Sequence, residues 1–426
     1  MKTRYFVLML LLAVISLSCP AFARSALIKD EVVLSREADT YMEVRHYVLK
    51  GSNKEIGKTI GEIVRTRYGS KLIPYADPVY ARARKEYMRL NYPILYERMK
   101  GVAQAYGLAF EDNTFDISNC YYDLGPLSCS AVFFPSSRTT NGHNIVARNM
   151  EWYLVNIYQF IGMPANPAPN LFSNVFVMEL YPDKGYPSLV IGTHDLLNCA
   201  FDGMNSKGLT IHSLVDSSYR STVNFDVAHA QGISNIQIAR LVLDTCATVA
   251  EAKQAFLNNK LFMFMDTTHF LVTDRSGRSC VVEYDGELST RFVDNKDGIQ
   301  IIANRSLYNY PSVESFPATD PNDHYNSFNR HRRLDKFVKE HPGKFSPEEM
   351  KTALSMVYGY GTDKTEVAGA TEQMAEFPIR TVWSTLFDNT DRSVTVKFYL
   401  KDGTVDPATK MPSLIFSQPY KFKLVD

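Results

Sequence analysis

A cysteine, an arginine and a glutamate in the first half of this chain could act together in catalysis. Cys129 follows a Gly-Pro turn signal and opens an apolar run that is typical of a strand. A second apolar run, 144–152, contains Arg148 and Glu151 and follows the turn residues Asn141-Gly142. Because Asn-Gly between two apolar runs favours a hairpin, we expect Arg148 and Glu151 to lie near the start of the first strand, beside Cys129.

A thiol is a weak nucleophile until it loses its proton, so this group needs a base. The histidines that follow have no telling spacing, and we interpret each as a surface or core residue: His143, His194, His212 and His269. The alternative base is the α-amino group of the cysteine, whose pKa of about 7.7–8.0 leaves much of it neutral near pH 7–8. For Cys129 this requires cleavage of the Ser128–Cys129 peptide bond.

Composition excludes several other functions. The chain has 46 Lys and Arg residues against 46 Asp and Glu residues, so nothing favours nucleic acid or an anionic membrane surface as a partner. No Cys-x-x-Cys pair or other zinc-ligand spacing occurs. The sequence therefore predicts no metal and no other cofactor.

Residues 1–23 have the pattern of a secretory signal. A positively charged start and an apolar middle precede the small-residue site Ala21-Phe22-Ala23. We therefore expect a protein exported to the periplasm or the extracellular space, cleaved after Ala23, with no stable membrane span. Lipid attachment at Cys19 is the alternative. Five cysteines follow the signal, and this odd number leaves at least one free thiol or an intermolecular bond.

The periodicity of the sequence changes at Cys129. The segment before it is mainly helical by pattern, and the segment after it is rich in strands. The elements predicted before it are a strand at 41–49, a helix from about 53, and a helix from 78 to about 106. Those predicted after it are strands at 174–181, 188–192, 268–273, 280–284, 381–388 and 393–400, and helices at 236–257 and from 327. No long linker separates these elements, so we expect one compact body with antiparallel strand pairs.

Six motifs of this chain occur in an order that characterises a known family. They are the strand-opening Cys129 and the segments 148–152, 203–209, 302–305, 327–334 and 381–385, and 51–57 also fits. On these motifs the chain resembles the N-terminal nucleophile (Ntn) hydrolases of the choloylglycine hydrolase and acid ceramidase group. It looks closest to the isopenicillin N acyltransferase-like branch, also called peptidase C45. The resemblance spans nearly all of the chain after the signal.

The resemblance implies a fold and a domain organisation. The fold is α+β, a four-layer αββα sandwich with two antiparallel sheets, preceded by a mainly helical N-terminal segment. The implied parts are the signal peptide 1–23, the N-terminal helical segment 24–128 and the catalytic domain 129–426. The helical segment would be a propeptide or a small subunit.

The resemblance also implies roles for three residues of the hairpin and its neighbours. Cys129 would be the nucleophile, with Arg148 against its sulfur. Glu151 would occupy the place where the family usually has aspartate, and it is one methylene longer.

Three further residues complete the implied site. Asn205 and Asn304 would stand at the oxyanion and substrate-positioning places. Arg330 would take the place of the second arginine, with Arg333 as the alternative because it lies on the same helix face.

The activity implied is that of a cysteine amidohydrolase that cleaves linear N-acyl amides after autoproteolysis before Cys129. Its partner would be a small-molecule N-acyl amide, with conjugated bile acids, penicillin V, N-acylethanolamines and acyl-homoserine lactones as candidate substrates. Two alternatives stay open at this point. One is an acyltransferase of the same fold, which passes the acyl group to an amine, and the other is a catalytically silent exported binding protein.

Overall fold

The structure is a computed structural model. It describes residues 25–122, 128–156, 169–216, 218, 229–264, 267–295, 298–318, 326–359, 379–407 and 412–425. The predicted signal peptide and the Gly-Pro turn before Cys129 lie outside the described residues. Within the described residues, no helix has both the length and the apolar composition needed to cross a bilayer.

The described residues form seven α-helices and 18 strands. The helices are α1 (Asn53–Arg67), α2 (Pro78–Asn91), α3 (Pro93–Ala105), α4 (Asn235–Thr245), α5 (Val249–Asn258), α6 (Ser327–Glu340) and α7 (Pro347–Ser355). The first nine strands are β1 (Leu27–Leu34), β2 (Glu43–Gly51), β3 (Ser128–Phe134), β4 (Ile145–Tyr153), β5 (Asn174–Pro182), β6 (Ser188–Gly192), β7 (Asp202–Asn205), β8 (Thr210–Val215) and β9 (Ile233–Ser234). The others are β10 (Leu261–Phe262), β11 (Thr268–Thr273), β12 (Ser279–Tyr284), β13 (Thr290–Asp294), β14 (Gln300–Ile302), β15 (Ile379–Asp388), β16 (Ser393–Val405), β17 (Pro412–Phe416) and β18 (Tyr420–Lys423).

Two large sheets form the middle of the molecule. The nine-stranded sheet has the order β1-β2-β5-β6-β7-β8-β11-β12-β13, and all its pairs are antiparallel except β2 with β5. The seven-stranded sheet has the order β14-β3-β4-β15-β16-β17, with β18 paired to β16. Helices α4 and α5 pack on the nine-stranded sheet, and α6 and α7 pack on the seven-stranded sheet. This arrangement confirms the predicted α+β sandwich.

The predicted hairpin that carries the candidate nucleophile forms, and its connection, 135–144, is longer than the Asn-Gly turn that it contains. Gly142 has a φ of 70°, a left-handed conformation that glycine adopts without steric cost. Strands β3 and β4 then pair in the register that places Ser128 opposite Glu151 and Ala131 opposite Arg148. Side chains that lie opposite each other in an antiparallel pair share one face of the sheet. The register therefore decides which side chains can reach Cys129.

The segment before the cysteine is built into the same body. Its strands β1 and β2 extend the nine-stranded sheet, and β1, an exposed edge strand, was not predicted from the sequence. Helices α1 and α3 cross closely because glycines stand at their contact: a Cβ on Gly57 would lie 2.0 Å from the main-chain O of Arg98. The described part of the segment contains three helices and two strands, and it shares the hydrophobic core of the sheets.

Two segments that were each predicted as one helix are interrupted. The stretch from Pro78 to Tyr106 divides at Tyr92, and Pro93 begins α3 at the position where a missing N–H costs nothing. The stretch 236–257 divides between α4 and α5, where the Thr248 side chain accepts a hydrogen bond from the N–H of Glu251 and caps α5. Both breaks lie at residues that commonly start helices.

Candidate active site

Cys129 lies at the start of β3, and its side chain is buried between the two sheets. Its Sγ lies 2.9 Å from Nη2 of Arg148 and 3.4 Å from Sδ of Met150, both on the neighbouring strand β4. The main-chain O of Ser213, on β8 of the nine-stranded sheet, lies 3.7 Å from the sulfur. The thiol therefore contacts both sheets.

Arg148 is held at the thiol by the opposite sheet. Its Nη2 donates to the main-chain O of Ser213 at 3.0 Å, and its Nη1 lies 2.9 Å from Oδ2 of Asp202 on β7. The guanidinium carbon also lies 5.8 Å from the centre of the Trp383 ring. Both charged side chains of the Arg148–Asp202 pair are fully buried. A planar guanidinium can make such contacts in two directions at once, which an ammonium group on a flexible stem does not reproduce.

The backbone of Cys129 is bound by two further side chains. Its N–H donates to Oδ1 of Asn304 at 3.1 Å, and its main-chain O accepts from Nη1 of Arg330 at 2.6 Å. Nη2 of Arg330 also donates to Oδ1 of Asn304 at 2.6 Å, and Nδ2 of Asn304 donates to the main-chain O of Val215 at 2.8 Å. These partners fix the orientation of the Asn304 amide, because two donors meet its oxygen and an acceptor meets its nitrogen.

Glu151 lies on the opposite face of β4 from Arg148. Its Oε2 is 3.4 Å from Nη1 of Arg330, and its Oε1 accepts from Oγ1 of Thr381 at 3.4 Å. A Cβ on Gly359 would lie 2.6 Å from Cγ of Glu151, so the glycine leaves room for this carboxylate. Burial raises the pKa of Glu151 to about 7, although Arg330 and Arg148 oppose the shift.

The thiol of Cys129 is protonated in this environment. Burial raises its pKa to about 12, the nearby Arg148 and Arg330 lower it, and the carboxylates of Glu151 and Asp202 raise it. The uncut chain therefore holds a thiol rather than a thiolate at neutral pH.

The structure does not bring Asn205 to Cys129, which contradicts its predicted place at the oxyanion. Its Nδ2 donates to the main-chain O of Leu243 at 3.0 Å and of Cys246 at 2.7 Å, at the end of α4, and its Oδ1 accepts from backbone N–H groups of the β7–β8 turn. Gly203, on the same face of β7, would meet Leu243 with a Cβ. This face points to the helix layer, whereas the thiol lies between the sheets.

The structure places Arg330, rather than Arg333, at the cysteine. Arg330 is buried in the first turn of α6, and Arg333 is exposed one turn later. Five of the six predicted residues are thus within one contact network: Cys129, Arg148, Glu151, Asn304 and Arg330.

Sequence reasoning missed Asp202 as part of the site. It lies in the same Asp-Gly-Met-Asn motif as Asn205, but three residues earlier, so its side chain points to the other face of β7. Its Oδ2 accepts from Nε1 of Trp383 at 2.8 Å, and its Oδ1 lies 2.8 Å from Nδ1 of His212. Because neighbouring residues of a strand point to opposite faces, the spacing of three between Asp202 and Asn205 could have shown that only one of them faces the thiol.

None of the four histidines binds the thiol. The thiol contacts arise from an arginine, a methionine and a main-chain carbonyl. His212 pairs with Asp202, His269 lies 2.8 Å through Nε2 from the main-chain O of Ala303, and His143 pairs with Asp388 near the surface. The interpretation of these histidines as surface or core residues agrees with their positions.

A family model and several solved structures are similar to this chain. Residues 129–359, more than half of the chain, match the model of the linear amide C–N hydrolases, choloylglycine hydrolase family. Two variants of conjugated bile acid hydrolase from Clostridium perfringens are similar in structure, with 16% identity, coverage of 70% of this chain and 97% of theirs, and TM-scores of 0.44 and 0.43. Penicillin V acylase from Agrobacterium tumefaciens has 19% identity, coverage of 68% and 85%, and a TM-score of 0.41.

The family match begins at Cys129, whose N, O and Sγ are each bound by a side chain. It also includes the other residues of the contact network and Asp202. The match is to the family as a whole, so the isopenicillin N acyltransferase-like branch stays a prediction. The chain belongs to the choloylglycine hydrolase family and is a linear amide C–N hydrolase.

Proposed function

We propose that Cys129 is an N-terminal nucleophile, released by cleavage of the Ser128–Cys129 bond, and that it hydrolyses linear N-acyl amides. One observation carries the proposal: each polar atom of this residue has its own side-chain partner. Asn304 binds its N–H, Arg330 binds its carbonyl O and Arg148 binds its sulfur. By contrast, the sulfur of Cys280, which is also buried, lies 3.4 Å from the main-chain O of Val281 and near the carboxylate of Asp294, and within the described residues no arginine is among the charged groups that act on it.

The α-amino group is the base that this environment favours. The thiol pKa of about 12 disfavours spontaneous ionisation, and no histidine among the described residues contacts the sulfur. A free α-amine with a pKa of about 7.7–8.0 can take the thiol proton near neutral pH. Asn304 already accepts the N–H of Cys129 at 3.1 Å and would orient the amine after cleavage.

Cleavage needs only the chain and one water. The Sγ of Cys129 attacks the carbonyl carbon of Ser128, the C–N bond breaks, and the acyl group moves to sulfur while the thiol proton passes to the nitrogen. Water then hydrolyses this thioester to a carboxylic acid on Ser128 and a free thiol. The two products together contain the atoms of the uncut chain plus one water.

The catalytic cycle repeats this chemistry on a substrate. The amine takes the thiol proton, sulfur attacks the substrate carbonyl, and the ammonium returns the proton to the leaving nitrogen. Water hydrolyses the thioester and releases the acid. Arg148 stabilises negative charge on sulfur, 2.9 Å from its Nη2. Conjugated bile acids, penicillin V, N-acylethanolamines and acyl-homoserine lactones form the substrate panel.

We also propose that the helical segment before the cysteine remains bound after cleavage. Strand β2 pairs with β5 along its whole length. Arg98 of α3 makes two contacts with Asp244 of α4, at 2.6 and 3.1 Å, and both side chains are fully buried. Departure of the segment would expose this pair and remove two strands, so a small subunit is favoured over an expelled propeptide. Export through the 1–23 signal is part of the same proposal.

The test compares Cys129→Ala with Cys280→Ala in secreted protein. We expect Cys129→Ala to release neither acid nor amine from any substrate of the panel, because the attacking atom is gone. Cys280→Ala, the matched control, keeps the activity of the unaltered chain per folded molecule. Release of acid without an added amine acceptor supports hydrolysis rather than acyl transfer.

Two results would contradict the proposal. The first is amide hydrolysis by Cys129→Ala at the rate of the control variant. The second is an unaltered enzyme that, stopped during turnover, carries an acyl mass on a residue other than Cys129.

A further inference from the structure

We propose that Asp202 is a positioning residue for the Cys129 thiol and acts through Arg148. This inference rests on the proposed function of Cys129. Asp202 does not touch the sulfur, and in our account it does no bond-making of its own. It anchors one nitrogen of the guanidinium so that the other nitrogen stays at the nucleophile.

The anchor follows from the geometry of the guanidinium. Nη1 of Arg148 lies 2.9 Å from Oδ2 of Asp202, and Nη2 lies 2.9 Å from Sγ of Cys129. Because the guanidinium is planar and rigid, fixing one nitrogen fixes the direction of the other. The carboxylate stands on the nine-stranded sheet and the cysteine on the seven-stranded sheet, so the anchor also fixes the thiol relative to the opposite sheet.

Asp202 itself cannot move. Nε1 of Trp383 donates to its Oδ2 at 2.8 Å, and Nδ1 of His212 lies 2.8 Å from its Oδ1. All these side chains are fully buried. Burial lowers the pKa of His212, so the ring is neutral and its Nδ1–H is the donor to the carboxylate. The carboxylate is thus held from two elements, β15 and β8.

The charge of Asp202 has a second effect on the thiol. The charged groups that act on Cys129 are Arg148 and Asp202 on the sheet interior and Glu151 and Arg330 on the other face of the hairpin. Asp202 offsets part of the field of Arg148. Removing that negative charge while keeping the anchor should lower the pKa of the thiol and of the α-ammonium.

Two substitutions separate the effect of holding Arg148 in place from the effect of the negative charge of Asp202. Asp202→Asn removes the charge but keeps a side chain of the same shape beside Arg148. Its oxygen still accepts from Trp383, and its amide nitrogen faces His212, which becomes the acceptor by carrying its proton on Nε2. Asp202→Ala removes both the charge and the anchor. Each variant is assayed for the rate of cleavage before Cys129, for kcat and KM, and for the pH dependence of Cys129 alkylation by iodoacetamide.

The expected results differ between the two variants. Asp202→Asn moves the pH profile of Cys129 alkylation to lower pH by about one unit, since the guanidinium charge is no longer offset. Asp202→Ala lowers kcat and the cleavage rate by roughly 10- to 100-fold with little change in KM, because Arg148 is no longer held at the sulfur. If Asp202→Ala is not cleaved before Cys129 at all, Asp202→Asn still tests the pH dependence of Cys129 alkylation.

Asp244→Asn is the matched control. Asp244 is also fully buried against an arginine, but on the far side of the nine-stranded sheet. Its substitution should lower thermal stability and leave the pH profile and kcat per folded enzyme unchanged. A profile shift of equal size in this control would overturn the inference, since the effect would then be a general one of lost stability.

The inference and the proposed function fail in different ways. If the unaltered enzyme is cut before Cys129 and active, but Asp202→Asn and Asp202→Ala share its alkylation profile and its kcat, only the positioning role is wrong. If the unaltered enzyme is active without cleavage at that bond, the proposed function is wrong.

Discussion

Two buried arginine–aspartate pairs lie on opposite sides of the nine-stranded sheet, and only one of them faces the proposed nucleophile, Cys129. Arg98–Asp244 lies between the helices of the outer layer, and Arg148–Asp202 lies between the two sheets. Both pairs have no exposed side-chain surface. Burial and charge pairing alone therefore do not distinguish a structural pair from a functional one.

The difference lies in what the rest of each guanidinium contacts. Arg98 uses both terminal nitrogens on Asp244, and its Nε donates to Oδ1 of Asn53 at 2.9 Å, so all its contacts hold helices together. Arg148 uses one terminal nitrogen on Asp202 and directs the other to the sulfur of Cys129. The outer pair connects helices, whereas the inner pair directs a hydrogen-bond donor to the sulfur of Cys129, the proposed nucleophile.

The largest expected effect separates these two arginines directly. Arg148→Lys and Arg98→Lys both keep a positive charge and lose the planar fork. We expect Arg148→Lys to lower kcat/KM by about 100-fold or more, because one ammonium cannot hold both Asp202 and the thiol. Arg98→Lys should keep the kcat/KM of the folded enzyme.

Both lysine variants should lose stability to a similar degree, about 1–3 kcal/mol, because each leaves a buried carboxylate with fewer hydrogen bonds. Denaturant unfolding and an amide assay on the same samples measure both quantities. Equal losses of kcat/KM in the two variants would show that the two pairs do not differ as described.

The next effect tests the corrected position of Asn205 against that of Asn304. Asn304→Ala should abolish or strongly slow cleavage before Cys129, since it removes the acceptor for the cysteine N–H. Asn205→Ala should leave cleavage intact and lower the free energy of unfolding by about 1–3 kcal/mol, because it leaves the carbonyls of Leu243 and Cys246, at the end of α4, without their donor.

For the two asparagine variants, intact mass reports cleavage before Cys129, and thermal unfolding reports stability. An Asn205→Ala protein that folds fully and yet remains uncut would return this residue to the catalytic machinery.

The smallest effect concerns Glu151, between the hairpin and the helix layer on its other side. Its folded-state pKa of about 7 lies above its ordinary value of 4.5, so the folded chain binds the extra proton between those values. Stability from this group is therefore present at low pH and is lost as the pH rises through about 7. In the uncut Cys129→Ala background, Glu151→Gln should remove this loss.

The measurement is the Tm of Cys129→Ala with and without Glu151→Gln, from about pH 5 to about pH 8. As the pH rises, the Tm of the Gln variant should increase relative to that of its parent. Parallel curves would mean that Glu151 is not held with a raised pKa. Arg98→Lys serves as a reference on the outer side of the sheet, where the slope with pH should not change.

Local sequence signals predicted the part of the site that lies within one hairpin. The Asn141-Gly142 turn lies within the connection 135–144 between β3 and β4, and the register of these two strands brings Arg148 to Cys129. The turn and the strand alternation are properties of neighbouring residues, so the sequence contains them without any tertiary information. Family motifs then added Asn304 and Arg330, which reach the hairpin from distant elements.

The features that sequence reasoning missed depend mainly on which face of a strand or helix packs against which neighbouring element. Asp202 and Asn205 belong to one short motif, and only the assembled sheet shows that the first faces the thiol and the second faces α4. The edge strand β1 was missed because none of its residues is buried and its exposed positions do not alternate. The break before α5 could have been found, since Thr248 and Glu251 have the spacing of a helix cap.

The most direct test of the central claim is intact mass with N-terminal sequencing of the purified, active enzyme. We predict two chains, the second beginning at Cys129, with masses that sum to the chain after signal removal plus one water. A fully active enzyme whose Ser128–Cys129 bond is unbroken would contradict the account.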